Sequence, residues 1–445
     1  MGRERHNGEK YMRIGYITHG FPPLIGGTET HNYSCVKYLS EKGHSVEVII
    51  PTTKLYLQEN FGYLENKTLQ AESYTLPELR NVTIHYLFTK RFKGYYDLWK
   101  KINEIERNSK IDVFDIHYMF YAMAFPKKRN IVCSLHFPDF CFPCIYWPSI
   151  YKNGYYTLGT KNSCCSFKNC IKCIGVYPYL KWRLARHYAT KVITKYMVKR
   201  DYLKELMVQS GIPDDKIEVI PYWIDGDNIL KQSKSQHKSK LLYSKNQLHI
   251  DEENTVFGFV GRLDAYNGPL LVLKAFSKLL KKRLKQEQKP SILGKNLKLC
   301  FLGDGSFRKD LESFSRENEL QDNVMFLGAI PHSEIFKYFS IVDIFVFAHW
   351  YSNYGWSLLE AMSTKKPIIA TRTIDIAEIL KDRYNALLTE STVDSLAEKM
   401  EEILNSPDLA KKLGENAFKT IKTEHKLENL EKYEELLYQV AKKNI

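Results

Sequence analysis

No apolar run in this 445-residue chain approaches the roughly 20 residues of a membrane-spanning helix, so a transmembrane class is set aside. The first twelve residues, MGRERHNGEKYM, lack the apolar core of a signal peptide, and position six is His6 rather than the Ser or Thr of a myristoylation signal. These absences predict a cytoplasmic protein. Acid is in deficit: 65 Lys and Arg against 51 Asp and Glu leave a net charge of +14. That excess predicts an anionic partner such as nucleotide phosphates, lipid headgroups or nucleic acid. No RNA- or DNA-binding signature accompanies it, so nucleic acid is the weakest of the three. A hydrophobic content of 44% is that of ordinary soluble globules, and the length suits two domains.

What is present centres on residues 343–378, DIFVFAHWYSNYGWSLLEAMSTKKPIIATRTIDIAE. The composition predicts a buried strand at 343–347, a polar turn, a short helix at 358–362, a second strand at 367–371 and another turn. Strand ends followed by helix starts are where open α/β sheets bind ligands. Glu360 has two acceptor oxygens suited to a ribose diol; alternatively, it complements the helix dipole.

Further strands are expected at 13–18, 46–50, 82–88, 113–117, 131–136, 191–194 and 217–220, and in a second series at 255–262, 297–303 and 323–328. Strands alternating with helices imply parallel sheets, so the fold class is α/β with two Rossmann-like domains. The expected boundaries are a basic tail at 1–12, a first domain at 13–228 with a Cys-rich excursion at 137–175, a linker or inserted basic loop at 229–254, a second domain at 255–420 and a helical end at 421–445.

Gly26 and Gly27 follow the first strand, where they free the backbone to approach a phosphate or an acceptor, or simply form a turn; Thr28 is placed to cap the helix at 32–42. Arg262 follows the second domain's first strand, as a diphosphate clamp or a surface ion pair. His136 ends the strand IVCSLH, where it either packs in the core or at the surface, or orients a substrate hydroxyl. Six of the nine cysteines lie between Cys141 and Cys173. Cys141, Cys144, Cys164, Cys165, Cys170 and Cys173 include two CxxC pairs, and four of the six could hold a structural zinc; an iron–sulfur cluster, disulfides or buried thiols are the alternatives. The segment TKRFKGYYDLWKK at 89–101 mixes cations with aromatics, which suits either an anionic membrane surface or an exposed loop and helix.

In this order, the motifs FPPLIGGTETHNYSCVKYLSEKGHSVEV, IEVIPYWID, FGFVGRL, FLGDGSFRKDLE, NVMFLGAIPHSEIFKYFSIVDIFV and YGWSLLEAMSTKKPIIAT resemble glycosyltransferase family four, the retaining enzymes of the GT-B fold, over nearly the whole chain. The resemblance implies two Rossmann-like domains facing a cleft, an acceptor domain first and a nucleotide-sugar domain second, with a C-terminal helix returning to the first. It implies that Glu360 is the second Glu of an E-x7-E motif and holds the donor ribose. Arg262 would bind the diphosphate with the amides around Gly355, Trp356 and Ser357, Gly26 and Gly27 would approach the donor phosphate or acceptor, and His136 would lie beside the transferred sugar. Ser352 stands where the motif has its first Glu, Asn267 where a Lys usually follows the Arg, and Ile374-Asp375 at a common Gly-Gly. Lys365, Lys366 and Arg372 are the cations placed to substitute. The family requires no catalytic metal.

The function so implied is transfer of a sugar from a nucleotide-sugar co-substrate to a hydroxyl of a glycan or a lipid-linked, polyprenyl-type acceptor, on the inner membrane face. The rival from another class is a non-catalytic carbohydrate- or nucleotide-binding partner of an active transferase.

Overall fold

The computed structural model describes residues 11–22, 27–52, 73–88, 94–107, 109–126, 129–135, 176–234, 250–251, 253–286, 297–349 and 355–442. It divides into two compact units, Met1–Tyr222 with Glu428–Ile445, and Trp223–Leu427.

The first unit holds an eight-stranded sheet in the order β3-β4-β2-β1-β5-β6-β7-β8. Its strands are β1 (Arg13–Ile17), β2 (Ser45–Thr52), β3 (Ser73–Tyr74), β4 (Val82–Phe88), β5 (Val113–Ile116), β6 (Ile131–Leu135), β7 (Lys195–Val198) and β8 (Ile217–Val219). All neighbours run parallel except β3, an antiparallel edge on β4. Both faces are covered, which is why residues 14–17 and all of Ile131–Leu135 are buried without the alternation of a half-exposed strand. The helices are α1 (Gly27–Glu41), α2 (Gly94–Glu106), α3 (Val176–Val192) and α4 (Asp201–Gln209).

Two expectations shift here. Gly27 opens α1, so Thr28 lies inside the helix instead of capping it. The strand expected at 191–194 runs over Lys195–Val198, because the apolar pair Val192-Ile193 closes α3: the Ile193 amide donates to the Ala189 carbonyl at 2.9 Å.

The second unit is a six-stranded, all-parallel sheet in the order β11-β10-β9-β12-β13-β14. Its elements are α5 (Gly226–Lys234), β9 (Thr255–Val260), α6 (Pro269–Gln286), β10 (Leu297–Leu302), α7 (Arg308–Glu317), β11 (Val324–Gly328), α8 (His332–Ile341), β12 (Ile344–Phe347), α9 (Trp356–Met362), β13 (Ile368–Thr371), α10 (Ile374–Ile379), β14 (Leu387–Thr389), α11 (Val393–Leu404) and α12 (Pro407–Glu424). Counted from β9, this is the 3-2-1-4-5-6 order of a dinucleotide-binding sheet, with its reversal between β9 and β12.

Residues 229–234, expected in a linker, belong to α5: Ile229 is buried, and a Cβ on Gly226 would lie 2.7 Å from Ile421 of α12. The turn expected after β13 is α10, capped by the Thr373 side chain, which accepts from the Ile376 amide at 3.3 Å. The last helix, α13 (Glu428–Lys442), belongs to the first unit. Tyr433 donates its hydroxyl to Asp115 Oδ2 on β5 at 2.6 Å, while Glu434 accepts from Tyr38 at 2.9 Å and lies 2.8 Å from His44 Nε2.

Candidate functional site

In each sheet the strand order reverses beside the earliest strand, and polar residues collect at the carboxyl ends there. In the second unit, the loop leaving β9 begins at Gly261-Arg262. It is locked to the loop leaving β10: the Leu263 amide donates to the Asp304 carbonyl at 3.0 Å and the Phe307 amide to the Leu263 carbonyl at 2.8 Å. Gly303 makes the approach possible, since a Cβ there would sit 2.0 Å from the Gly261 carbonyl oxygen.

Arg262 projects from this locked turn with its side chain 60% exposed, and its Nε donates to Asp264 Oδ2 at 2.9 Å. The other Asp264 oxygen accepts from the Ser306 amide at 3.1 Å and the Ser306 hydroxyl at 2.8 Å. Burial pushes the Asp264 carboxyl up, but the Ser306 bonds and Arg262 outweigh it and hold the group below its usual value. The aspartate is therefore charged at neutral pH and orients the guanidinium.

Asn267 donates Nδ2 to the Arg262 carbonyl at 2.7 Å and so closes the turn. Gly268 follows with φ +69, and a Cβ there would lie 1.9 Å from the Ala348 carbonyl oxygen. The loop after β9 is thus pressed against the end of β12. There, His349 stacks on Phe347 at 5.9 Å, and burial lowers its pKa to about 4. Its carbonyl accepts from Thr371 at the end of β13 at 2.7 Å.

Gly355 precedes α9, with Trp356 and Ser357 in its first turn and Glu360 buried within it. Glu360 Oε1 lies 2.6 Å from His332 Nε2, at the start of α8. Burial lowers the His332 pKa, but the Glu360 carboxylate outweighs that and leaves it raised. The substitute cations expected from the sequence are engaged elsewhere. Lys365 pairs with Glu415 at 2.7 Å, Lys366 donates to the carbonyls of Phe339 and Ser340 at 2.7 and 2.8 Å, and Arg372 lies 3.7 Å from Asp382.

Arg262, Asn267, Gly355, Trp356, Ser357 and Glu360 therefore all lie on segments leaving the neighbouring strands β9 and β12. Gly27 begins α1 in the first unit, whereas Gly26, His136, Ser352 and the cysteines Cys141, Cys144, Cys164, Cys165, Cys170 and Cys173 lie outside the described residues. Among the described residues, no cluster of His, Cys, Asp and Glu could hold a metal ion. Sequence reasoning missed Asp264, Ser306 and His332. Asp264 lies within the GRLDAYNG turn and was open to notice, but nothing local ties His332 to Glu360.

At the reversal of the first sheet, Asn32 of α1 donates to the Thr18 hydroxyl and the Gly20 carbonyl, each at 2.7 Å. Asp115 is wholly buried, accepting from Ser134 and Tyr433 at 2.6 Å each, and His117 lies 3.3 Å away. Burial and His117 lower the His19 pKa to about 4, so this rim presents a neutral imidazole at physiological pH.

Two mainly parallel Rossmann-like units in one chain are the parts of the GT-B fold, and comparison with known proteins points to glycosyltransferases. A family model described as glycosyl transferases group 1 matches residues 243–420, and one described as glycosyltransferase family 4 matches residues 25–228. An uncharacterised glycosyltransferase of Methanocaldococcus jannaschii is 34% identical over 88% of this chain and 89% of its own. The alpha-monoglucosyldiacylglycerol synthase of Streptococcus pneumoniae is 23% identical over 89% of this chain and 80% of its own. Anabaena HepE, solved in complex with UDP and glucose, superposes with a TM-score of 0.67 at 17% identity, covering 96% of this chain and all of that one. The chain belongs to glycosyltransferase family four.

Proposed function

We propose that this enzyme moves a sugar from a nucleotide-sugar donor to a hydroxyl of a glycan or polyprenyl-linked acceptor, with retention of anomeric configuration. One observation carries the reading: Arg262 and Glu360 leave strands on either side of the reversal in a dinucleotide-binding sheet. Glu360 holds the ribose hydroxyls and Arg262, oriented by Asp264, neutralises the departing diphosphate, the electrostatic work from which most of the rate arises. By the family resemblance, His136 would lie beside the transferred sugar, and Gly26 and Gly27 would approach the donor phosphate or acceptor. Retention is supported by the family resemblance alone. Incubation with a panel of nucleotide sugars and acceptors tests the reading: nucleoside diphosphate release with an axial or equatorial product matching the donor supports it, and inversion contradicts the retaining step.

Non-catalytic binding is favoured by one feature, the engagement of the Asn267 amide with the Arg262 carbonyl, which leaves this turn one cation short of the family pattern. Nucleotide binding without turnover under every acceptor tried would select that alternative.

The protein works on an anionic membrane surface in the cytoplasm. Tyr95, Tyr96 and Trp99 are exposed on α2, with the Lys100 ammonium 4.6 Å from the Tyr96 ring centroid, a mixture suited to an interface. Retention on anionic liposomes at low salt and release at high salt is expected, and no retention at either refutes it. The proposal extends to one structural zinc held by four of Cys141, Cys144, Cys164, Cys165, Cys170 and Cys173; elemental analysis showing neither zinc nor iron would remove it.

A further inference from the structure

We infer that His332 is a positioning residue for the donor site: it fixes the Glu360 carboxylate so that its remaining acceptor capacity faces the ribose diol. The inference rests on the assignment of Glu360 to the ribose. Glu360 is 4% exposed and has one oxygen 2.6 Å from His332 Nε2. A buried carboxylate on a short helix can rotate about its side-chain torsions unless something holds it, and a hydrogen bond to one oxygen removes that freedom while leaving the other oxygen to accept.

The mount of His332 is itself rigid. It opens α8, whose first turn is stiffened by the Glu334 amide donating to the Pro331 carbonyl at 2.9 Å and whose end is tied down by Lys366. Lys366 comes from the segment between α9 and β13, so α8 is clasped to the α9 region at both ends: His332 to Glu360 at one, Lys366 to the Phe339 and Ser340 carbonyls at the other. The His332 ring also meets Phe336 edge-on, with centroids 5.6 Å apart, which fixes the plane of the imidazole. Burial disfavours the charged imidazole, and the 2.6 Å contact with the Glu360 carboxylate outweighs it and leaves the His332 pKa raised.

A carboxylate gripping both hydroxyls distinguishes ribose from deoxyribose, because loss of one charge-assisted bond weakens binding by about tenfold or more. The experiment compares the affinities of UDP, ADP and GDP with those of their 2′-deoxy forms in the full-length protein and in Glu360→Gln, His332→Ala and His332→Gln, with inorganic pyrophosphate as the ribose-free control. The parent should prefer the ribonucleotide, and Glu360→Gln should lose the preference. His332→Ala should lose most of it too, about tenfold, with pyrophosphate affinity unchanged. His332→Gln, whose amide nitrogen reaches where Nε2 lies, should recover it. If alanine does not fold, His332→Asn, too short to reach Glu360, takes its place. Preference lost in Glu360→Gln but kept in His332→Ala overturns the role of His332 alone. No preference in the parent overturns the ribose assignment and this inference with it. A glutamine variant no better than alanine also refutes positioning by a hydrogen bond.

Discussion

Tyr433→Phe removes one oxygen from the interior of the first unit and should destabilise that unit without touching the second. The ring remains, so packing is conserved, and Tyr433 is fully buried. What is lost is the 2.6 Å bond to Asp115 Oδ2, leaving the carboxylate with Ser134 on one oxygen and His117 at 3.3 Å on the other. Bonds to charged groups contribute about 1.5–3 kcal/mol, and a domain of this size melts about 2–4 °C lower per kcal/mol, so a fall of roughly 3–12 °C is expected. A single melting curve mixes two units, so amide hydrogen exchange is the better assay. Exchange should quicken on β5 and β6 and remain unchanged on β9 and β12. Burial raises the Asp115 pKa, but His117, Ser134 and Tyr433 outweigh it and leave it lowered. Its stabilising contribution is therefore present above the ordinary aspartate pKa, about 4, and fades as the pH falls through the lower folded value. In the variant the folded pKa is less depressed, so that loss should be smaller and end at higher pH. Unchanged exchange on β5 and β6, or an unchanged acid limb, would refute the reasoning.

Gly268→Ala combines a left-handed φ with a Cβ on the Ala348 carbonyl oxygen, so it should cost about 1–3 kcal/mol or more in urea unfolding of the second unit. Asp264→Ala frees the Arg262 guanidinium from its orienting carboxylate and should raise the donor KM about tenfold, read from initial rates against donor concentration. Burial lowers the Lys199 pKa from 10.5 to about 8, so between those values the unfolded chain holds a proton that the folded one has released. Stability should then rise with pH across that window by an amount on the order of 3 kcal/mol, and Lys199→Met should flatten the rise in paired pH-dependent unfolding curves.

The strands were legible wherever an apolar run was bounded by turn residues, as at β12, where IFVF is buried at every position. In α13, Tyr433, Leu436 and Leu437 recur at the spacing of one helix face, and all three are buried. Legibility failed where local signals competed. Around 191–198 the strand expected at 191–194 is followed directly by a second short apolar run, and the structure assigns Lys191 and Val192 to α3 and Lys195–Val198 to β7. Residues 226–234 are so polar that the helix α5 is held mainly by Gly226 and Ile229 against distant neighbours, which composition does not display. For the site, Arg262 and Glu360 stood out because their residue types and places after strands mean something locally. His332 and Ser306 did not, since their meaning lies in partners 28 and 42 residues away.

The most direct measurement of the central claim is a crystal structure of the protein with a bound nucleoside diphosphate. The account predicts the ribose hydroxyls within about 3 Å of Glu360 and the diphosphate within hydrogen-bond reach of Arg262, at the ends of β9 and β12. A nucleotide bound elsewhere, with Glu360 and Arg262 touching neither group, would contradict it.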